Sequence, residues 1–247
     1  MFRNILKFAG TALLATAAAS VSAQSIYNAA NHDYRVVTVA DDLVQPWSMA
    51  WLPDGDMLIT EKPGRLRIVR DGNLLPEAIP GVPEVFYEGQ GGLFDVLPHP
   101  DFDENRWVYL TYSKKTADSS ATAIARGRLE NDRLTNVVEI FEAQASGFGH
   151  YGGKIVIDIN GYIFFTLGDR MAPPIGDEDA LRAHPAQDRS NHQGVVVRLN
   201  DDGTIPSDNP FVGQAGILPE IWSWGHRSPQ GLAIHPETGD LWESEHG

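Results

Sequence analysis

One unit recurs four times along this chain: a small-residue start, an alternating apolar strand, a turn built from Pro, Asp, Asn or Gly, and a second apolar strand. The copies are WSMAWLPDGDMLITE (residues 47–61), GGLFDVLPHPDFDENRWVYLTY (91–112), GGKIVIDINGYIFFTLGD (152–169) and SPQGLAIHPETGDLWESE (228–245). Asp54-Gly55, Asn160-Gly161 and Thr238-Gly239-Asp240 supply turns in three of them, residues that tolerate the positive φ a tight hairpin demands. Further strand-like runs fall between the copies, at residues 66–69, 123–129, 195–199 and 217–224. Hairpins that are each followed by more strand predict an all-β fold of about four-stranded blades, a β-propeller, over a sandwich with chance similarity between hairpins. The last copy stops at Glu245-His246-Gly247 with no closing segment, so the expected ring is truncated to about four blades and C-terminally incomplete.

The first stretch reads differently. MFRNILK at residues 1–7 carries Arg3 and Lys7 and no acid, an apolar run fills 8–19, and Val21-Ser22-Ala23 precedes Gln24. That pattern describes a secretory signal peptide over residues 1–23, and the apolar run is shorter than the ~20 residues of a membrane span. The expected mature chain, residues 24–247, is periplasmic or secreted, with no membrane insertion after signal cleavage. The absence of cysteine excludes disulfides, cysteine zinc sites and thiol nucleophiles together. With 19 Lys+Arg against 33 Asp+Glu, the net charge of −14 repels phosphate backbones, so no nucleic-acid partner is expected.

Three short motifs carry candidate chemistry. His150 lies in FGHYGG (148–153), just before a strand of the third copy, where a propeller opens onto its central channel. A histidine there can act as a general base if a neighbour fixes its tautomer. Asp169, at the end of the partner strand, is placed to do that; the plainer reading is a turn histidine. Arg227 in WGHRSPQG (224–231) can offer a fork of donors to a carboxylate or quinone oxygen, or simply satisfy loop carbonyls. Gln90 in EGQGG (88–92) can donate to a channel ligand or cap its loop. No metal motif stands out among the eight scattered histidines. Asp201-Asp202-Gly203 reads as a hairpin turn, with Ca²⁺ binding as the minor alternative. Asp177-Glu178-Asp179 reads as a solvated loop.

These motifs, together with GQGGLFDVLPHPDF (89–102), HYGGKIV (150–156), TLGD (166–169), RLNDDGTIPSDNPF (198–211), GHRSPQGLA (225–233) and SEHG (244–247), resemble the soluble quinoprotein glucose dehydrogenase family. Within it the chain is most similar to the aldose sugar dehydrogenase, or sorbosone dehydrogenase-like, branch. The resemblance implies a six-bladed β-propeller that holds pyrroloquinoline quinone (PQQ) and Ca²⁺. It implies oxidation of an aldose at the C1 hydroxyl to the lactone, with electrons passed to an external acceptor. His150 matches the general base and Asp169 the carboxylate that orients it. Gln90 and Arg227 match residues at the cofactor's polar edge. Ser228 stands where the glucose dehydrogenases carry Asn, and His246 where they carry Gln. The Gly247 carbonyl matches one backbone ligand of the Ca²⁺. The family's other cationic cofactor contacts and its second carbonyl ligand fall beyond residue 247, which puts the activity of this chain alone in question.

Two other functions stay open on the sequence. A calcium-dependent lactonase is also a propeller, but it needs several carboxylates converging on the metal. A binding or scaffold propeller without cofactor would keep the fold and lose the chemistry.

Overall fold

A turn that needs positive φ gets a glycine. In the computed structural model, which describes residues 26–144, 147–172 and 182–247, Gly55, Gly161 and Gly239 have φ of +93°, +84° and +75° and close the three predicted hairpins. The expected signal peptide and Asp177-Glu178-Asp179 lie outside the described residues. Residues 26–39 belong to a separate unit, in which β1 (Ile26–Tyr27) pairs with β2 (Tyr34–Arg35) and stacks Tyr27 on Tyr34 at 5.4 Å.

The second unit, residues 40–247, is a run of antiparallel sheets. The first holds β3 (Pro46–Trp51), β4 (Met57–Glu61), β5 (Arg65–Arg70) and β6 (Asn73–Leu74) in chain order. The second holds β7 (Leu93–Pro98), β8 (Trp107–Lys115), β9 (Ser120–Glu130) and β10 (Arg133–Glu142), with the one-turn helix α1 (Phe102–Asn105) in the connection after β7. The third holds β11 (Gly152–Ile157), β12 (Ile163–Leu167), β13 (Val195–Leu199) and β14 (Ile221–Trp224). The fourth is the hairpin β15 (Pro229–Ile234) with β16 (Leu241–Glu245). The first strands of successive sheets, β3, β7, β11 and β15, pack against one another, so the sheets are consecutive propeller blades.

A polar clip repeats at each seam. Thr60 on β4, Thr111 on β8 and Thr166 on β12 are fully buried. Their hydroxyls donate to a carbonyl on the first strand of the next blade, Phe94 (2.5 Å), Gly153 (2.5 Å) and Pro229 (3.0 Å). Asp95 adds a tie across three blades, accepting from Ser48 Oγ (2.5 Å), Lys154 Nζ (3.0 Å) and the Ile155 N–H (3.1 Å). The apolar core lies between blades, which is why β4, β12 and β13 are buried along their whole length. Leu58, Leu66, Leu93 and Leu110 fill the first seam, and Tyr109, Ile155, Phe165 and Val197 the second. The third seam has a smaller apolar cluster among the described residues, Phe164, Val196 and Leu232, with Val156, Tyr162 and Leu241 partly buried against it.

Two elements differ from the sequence reading. Strand β14 begins at Ile221, not at residue 217, because Pro219 has no N–H to give to a ladder and residues 214–221 turn instead. Strand β10 was not anticipated: RLTNVVEIFE is mostly exposed and broken by two register shifts, so it carries no clean alternation.

Candidate functional site

The loop between β10 and β11 delivers His150 to the end of the third blade, in a left-handed conformation (φ +41°). The Gln90 side chain fixes the backbone there by accepting the His150 N–H at 2.8 Å. Asp169, two residues beyond β12, places Oδ1 2.6 Å from His150 Nδ1. With Nδ1–H donating to the carboxylate, Nε2 is left as the free acceptor. Asp169 is only 5% exposed, and it is held from several sides. Its N–H donates to Arg227 O (2.8 Å), its Oδ1 accepts the Met171 N–H (3.0 Å), and its carbonyl accepts from Gln193 Nε2 (2.9 Å). His184 Nε2 stands 3.9 Å from the other carboxylate oxygen. Next to it, the Arg170 guanidinium lies 3.7 Å over the Tyr151 ring, and burial holds its pKa below the usual arginine range.

The glycines around His150 serve packing more than ligand access. A Cβ on Gly168 would stand 2.0 Å from His150 O, and one on Gly152 2.5 Å from Thr166 O. The two strand ends nest because both positions lack a side chain.

In front of His150 lies a cavity of about 290 Å³, lined by Trp47, Lys62, Gln90, His150, Ser228, Gln230 and His246. Four of the residues singled out by sequence, His150, Gln90, Ser228 and His246, therefore meet on one cavity, and Asp169 backs it. Arg227 does not line it. Its Nη1 donates to His246 O (2.7 Å) and lies 2.9 Å from His246 Nδ1, so it holds the cavity's rim. Gly247 packs beside Arg227, where a Cβ would meet Arg227 Cδ at 2.8 Å. The Asp201-Asp202-Gly203 segment is a turn, as expected: Gly203 N–H donates to Asn200 O, and Asp202 caps Thr204.

Sequence reasoning missed Trp47, Lys62, Gln230 and His184. Lys62, whose Nζ donates to Gly89 O at 3.3 Å, was within reach. It follows the clip residue Thr60 by two positions, as Gly168 follows Thr166, so aligning the repeats places it at a blade end. Gln230 lay inside the quoted WGHRSPQG motif. His184 carries no local signal, because only the fold brings it to Asp169.

The chain is 42% identical over 218 residues to the aldose sugar dehydrogenase YliI of Escherichia coli K12, covering 86% of this chain and 56% of that one. A crystal structure of a glucose dehydrogenase superposes with a TM-score of 0.78 at 45% identity, covering 85% of this chain and 60% of the other. The aldose sugar dehydrogenase from Streptomyces coelicolor, solved in its PQQ-bound form, superposes with a TM-score of 0.70 at 28% identity, covering 86% and 59%. The chain thus spans less than two thirds of the length of these relatives. Residues 43–247 match the Glucose / Sorbosone dehydrogenase family, and the chain belongs to it.

Proposed function

We propose that this protein oxidises aldose sugars at the C1 hydroxyl to the lactone, with PQQ and Ca²⁺ as cofactors, and passes the electrons to an external acceptor. The observation that carries the reading is the 2.6 Å contact between His150 Nδ1 and the buried Asp169 carboxylate, with the imidazole opening on the cavity. The donor set suits a flat, anionic, oxygen-rich cofactor. Lys62 supplies positive charge, Gln90, Gln230 and Ser228 supply neutral donors, and Trp47 supplies an aromatic face. The Gly247 carbonyl is a hard oxygen ligand of the kind Ca²⁺ takes. When bound, PQQ supplies the acceptor for the hydride leaving C1, with Ca²⁺ as Lewis acid.

The chain's own residues handle the proton. His150 Nε2 takes it from the sugar C1 hydroxyl, and Asp169 stabilises the imidazolium that forms. Gln90 keeps the His150 backbone in register, so the base does not swing away. Among the described residues no carboxylate lines the cavity, which removes the support a lactonase reading needs. The basic and apolar segment at residues 1–23 supports export, so the reaction belongs in the periplasm or outside the cell.

Titrating the purified chain with PQQ and Ca²⁺, then adding glucose and an artificial acceptor dye, tests this. Saturable PQQ binding, with dye reduction that is lost in His150→Ala, is the expected result. No PQQ binding overturns the cofactor assignment.

A further inference from the structure

Outside the cavity, three metal-ligating side chains converge at the seam between the third and fourth blades. His226 follows β14 by two residues. Glu243 and Glu245 are two apart on β16 and so share one face of that strand. One ligand atom from each lies within 4.8 Å of the others. His226 Nδ1 is 3.5 Å from Glu243 Oε2 and 4.0 Å from Glu245 Oε1. Ligands at about 2.0–2.2 Å from a tetrahedral zinc stand roughly 3.3–3.6 Å apart, so small rotations close the set.

The surroundings favour a cation there. The Glu243 Oε1 atom is buried and has no hydrogen-bond partner. Among the described residues the ion pairs of Glu243 and Glu245 run to His226, with no lysine or arginine joining them. Each outer partner is also in place. Ser223 Oγ lies 2.8 Å from His226 Nε2, and with Nε2–H donating to it, the Nδ1 lone pair faces the carboxylates. The Arg227 N–H donates to Glu245 Oε2 at 2.5 Å and fixes that side chain.

We propose that His226, Glu243 and Glu245 form a binding site for a divalent transition-metal ion, separate from the Ca²⁺ proposed at Gly247. A nitrogen with two carboxylates suits Zn²⁺, Mn²⁺ or Co²⁺, whereas Ca²⁺ and Mg²⁺ prefer all-oxygen sets. The ion would join the turn after β14 to β16, across the seam with the smallest apolar core. Its ligands are chain neighbours of Arg227 and His246, so occupancy would also steady that rim of the cavity.

The test uses the full chain, stripped with chelator and then saturated with Ca²⁺, titrated with Zn²⁺ by calorimetry and with Co²⁺ by visible absorption. The expected result is one Zn²⁺ per chain, ligand-field bands from Co²⁺ and a raised Tm. Glu243→Gln, nearly isosteric, and His226→Gln should each weaken binding at least about tenfold, and Ser223→Ala, which removes no ligand, should weaken it by about tenfold. Circular dichroism on each variant separates lost binding from lost fold. Absence of Zn²⁺ binding to the Ca²⁺-saturated chain overturns the proposal, and so does binding that folded Glu243→Gln leaves unchanged.

Discussion

The two walls of the cavity are built from the same repeat and held to different standards. His150 and Asp169 flank β11 and β12, in a four-stranded blade with a packed seam on the side of the second blade, and Asp169 is fixed by Arg227, Met171 and Gln193 as well as by His150. Arg227 and His246 flank β15 and β16, a two-stranded sheet in which Trp242 is 64% exposed and Glu245 lies open. A base must be oriented within fractions of an ångström, and that demands support from behind. A rim that clasps a cofactor can be softer, because many weak donors share the task. The wall to which we assign proton transfer is therefore the one with the buried carboxylate.

The sharpest way to break this comparison is Asp169→Asn. An asparagine keeps the shape but favours the wrong imidazole tautomer, so the turnover rate should fall by about 10³–10⁴-fold, by analogy with the same change in a serine-protease triad. The midpoint of the PQQ titration should stay put. Arg227→Lys should do the reverse, weakening cofactor retention a few-fold with little effect on turnover at saturating PQQ. Stopped-flow dye reduction alongside the binding titration reads both. If the two variants alter the same parameter, the division of labour between the walls is wrong.

The packing side of the comparison predicts a smaller effect. Phe165 is fully buried in the second seam, edge-on to Phe141 at 6.0 Å. Phe165→Ala should cost about 3–5 kcal/mol in urea unfolding, from lost transfer energy and a cavity its neighbours cannot fill. Trp242→Ala, on the exposed face of β16, should cost no more than about 0.5 kcal/mol. Equal losses would mean that the fourth blade is packed as tightly as the third.

How much of this was legible follows from what each element depends on. The hairpins declared themselves, because Asn160-Gly161 between two apolar strands has few other uses. His150 and Asp169 were legible because they bracket one hairpin, so strand geometry alone brings them together. The clip threonines sit at one place in successive copies, at Thr60, Thr111 and Thr166, yet their role needs the neighbouring blade to be visible. Strand β10 was hidden because an outer strand faces solvent and keeps no strict period. His226 and the glutamates of β16 were hidden because their convergence is tertiary, 17 and 19 residues apart with no local spacing to betray it. For Arg227 the sequence left open a ligand contact and a donor to loop carbonyls, and the structure shows the second, with Nη1 donating to His246 O.

The smallest predicted effect concerns two glutamates that burial pushes the same way and their neighbours answer oppositely. Burial alone would push the Glu61 carboxyl up, but the Val44 N–H, the Arg65 guanidinium at 2.6 Å and the charge of Arg67 outweigh it, and its pKa lies below the ordinary 4.5. On β16, among the described residues, no lysine or arginine pairs with Glu243, so burial and the charge of Glu245 raise its pKa. A depressed carboxyl adds stability that is complete above its unfolded value and lost as pH falls through its folded one. Unfolding free energy should therefore decline as pH drops below about 4.5, by at most about 1.4 kcal/mol for each unit of depression at Glu61. Glu61→Gln should lower stability at neutral pH and flatten this part of the acid limb, since the paired charge is gone at every pH. Urea midpoints between pH 3 and 6 measure it: an acid limb equally steep in the variant would place the titrating group elsewhere and remove the first blade's claim to be the better-compensated one.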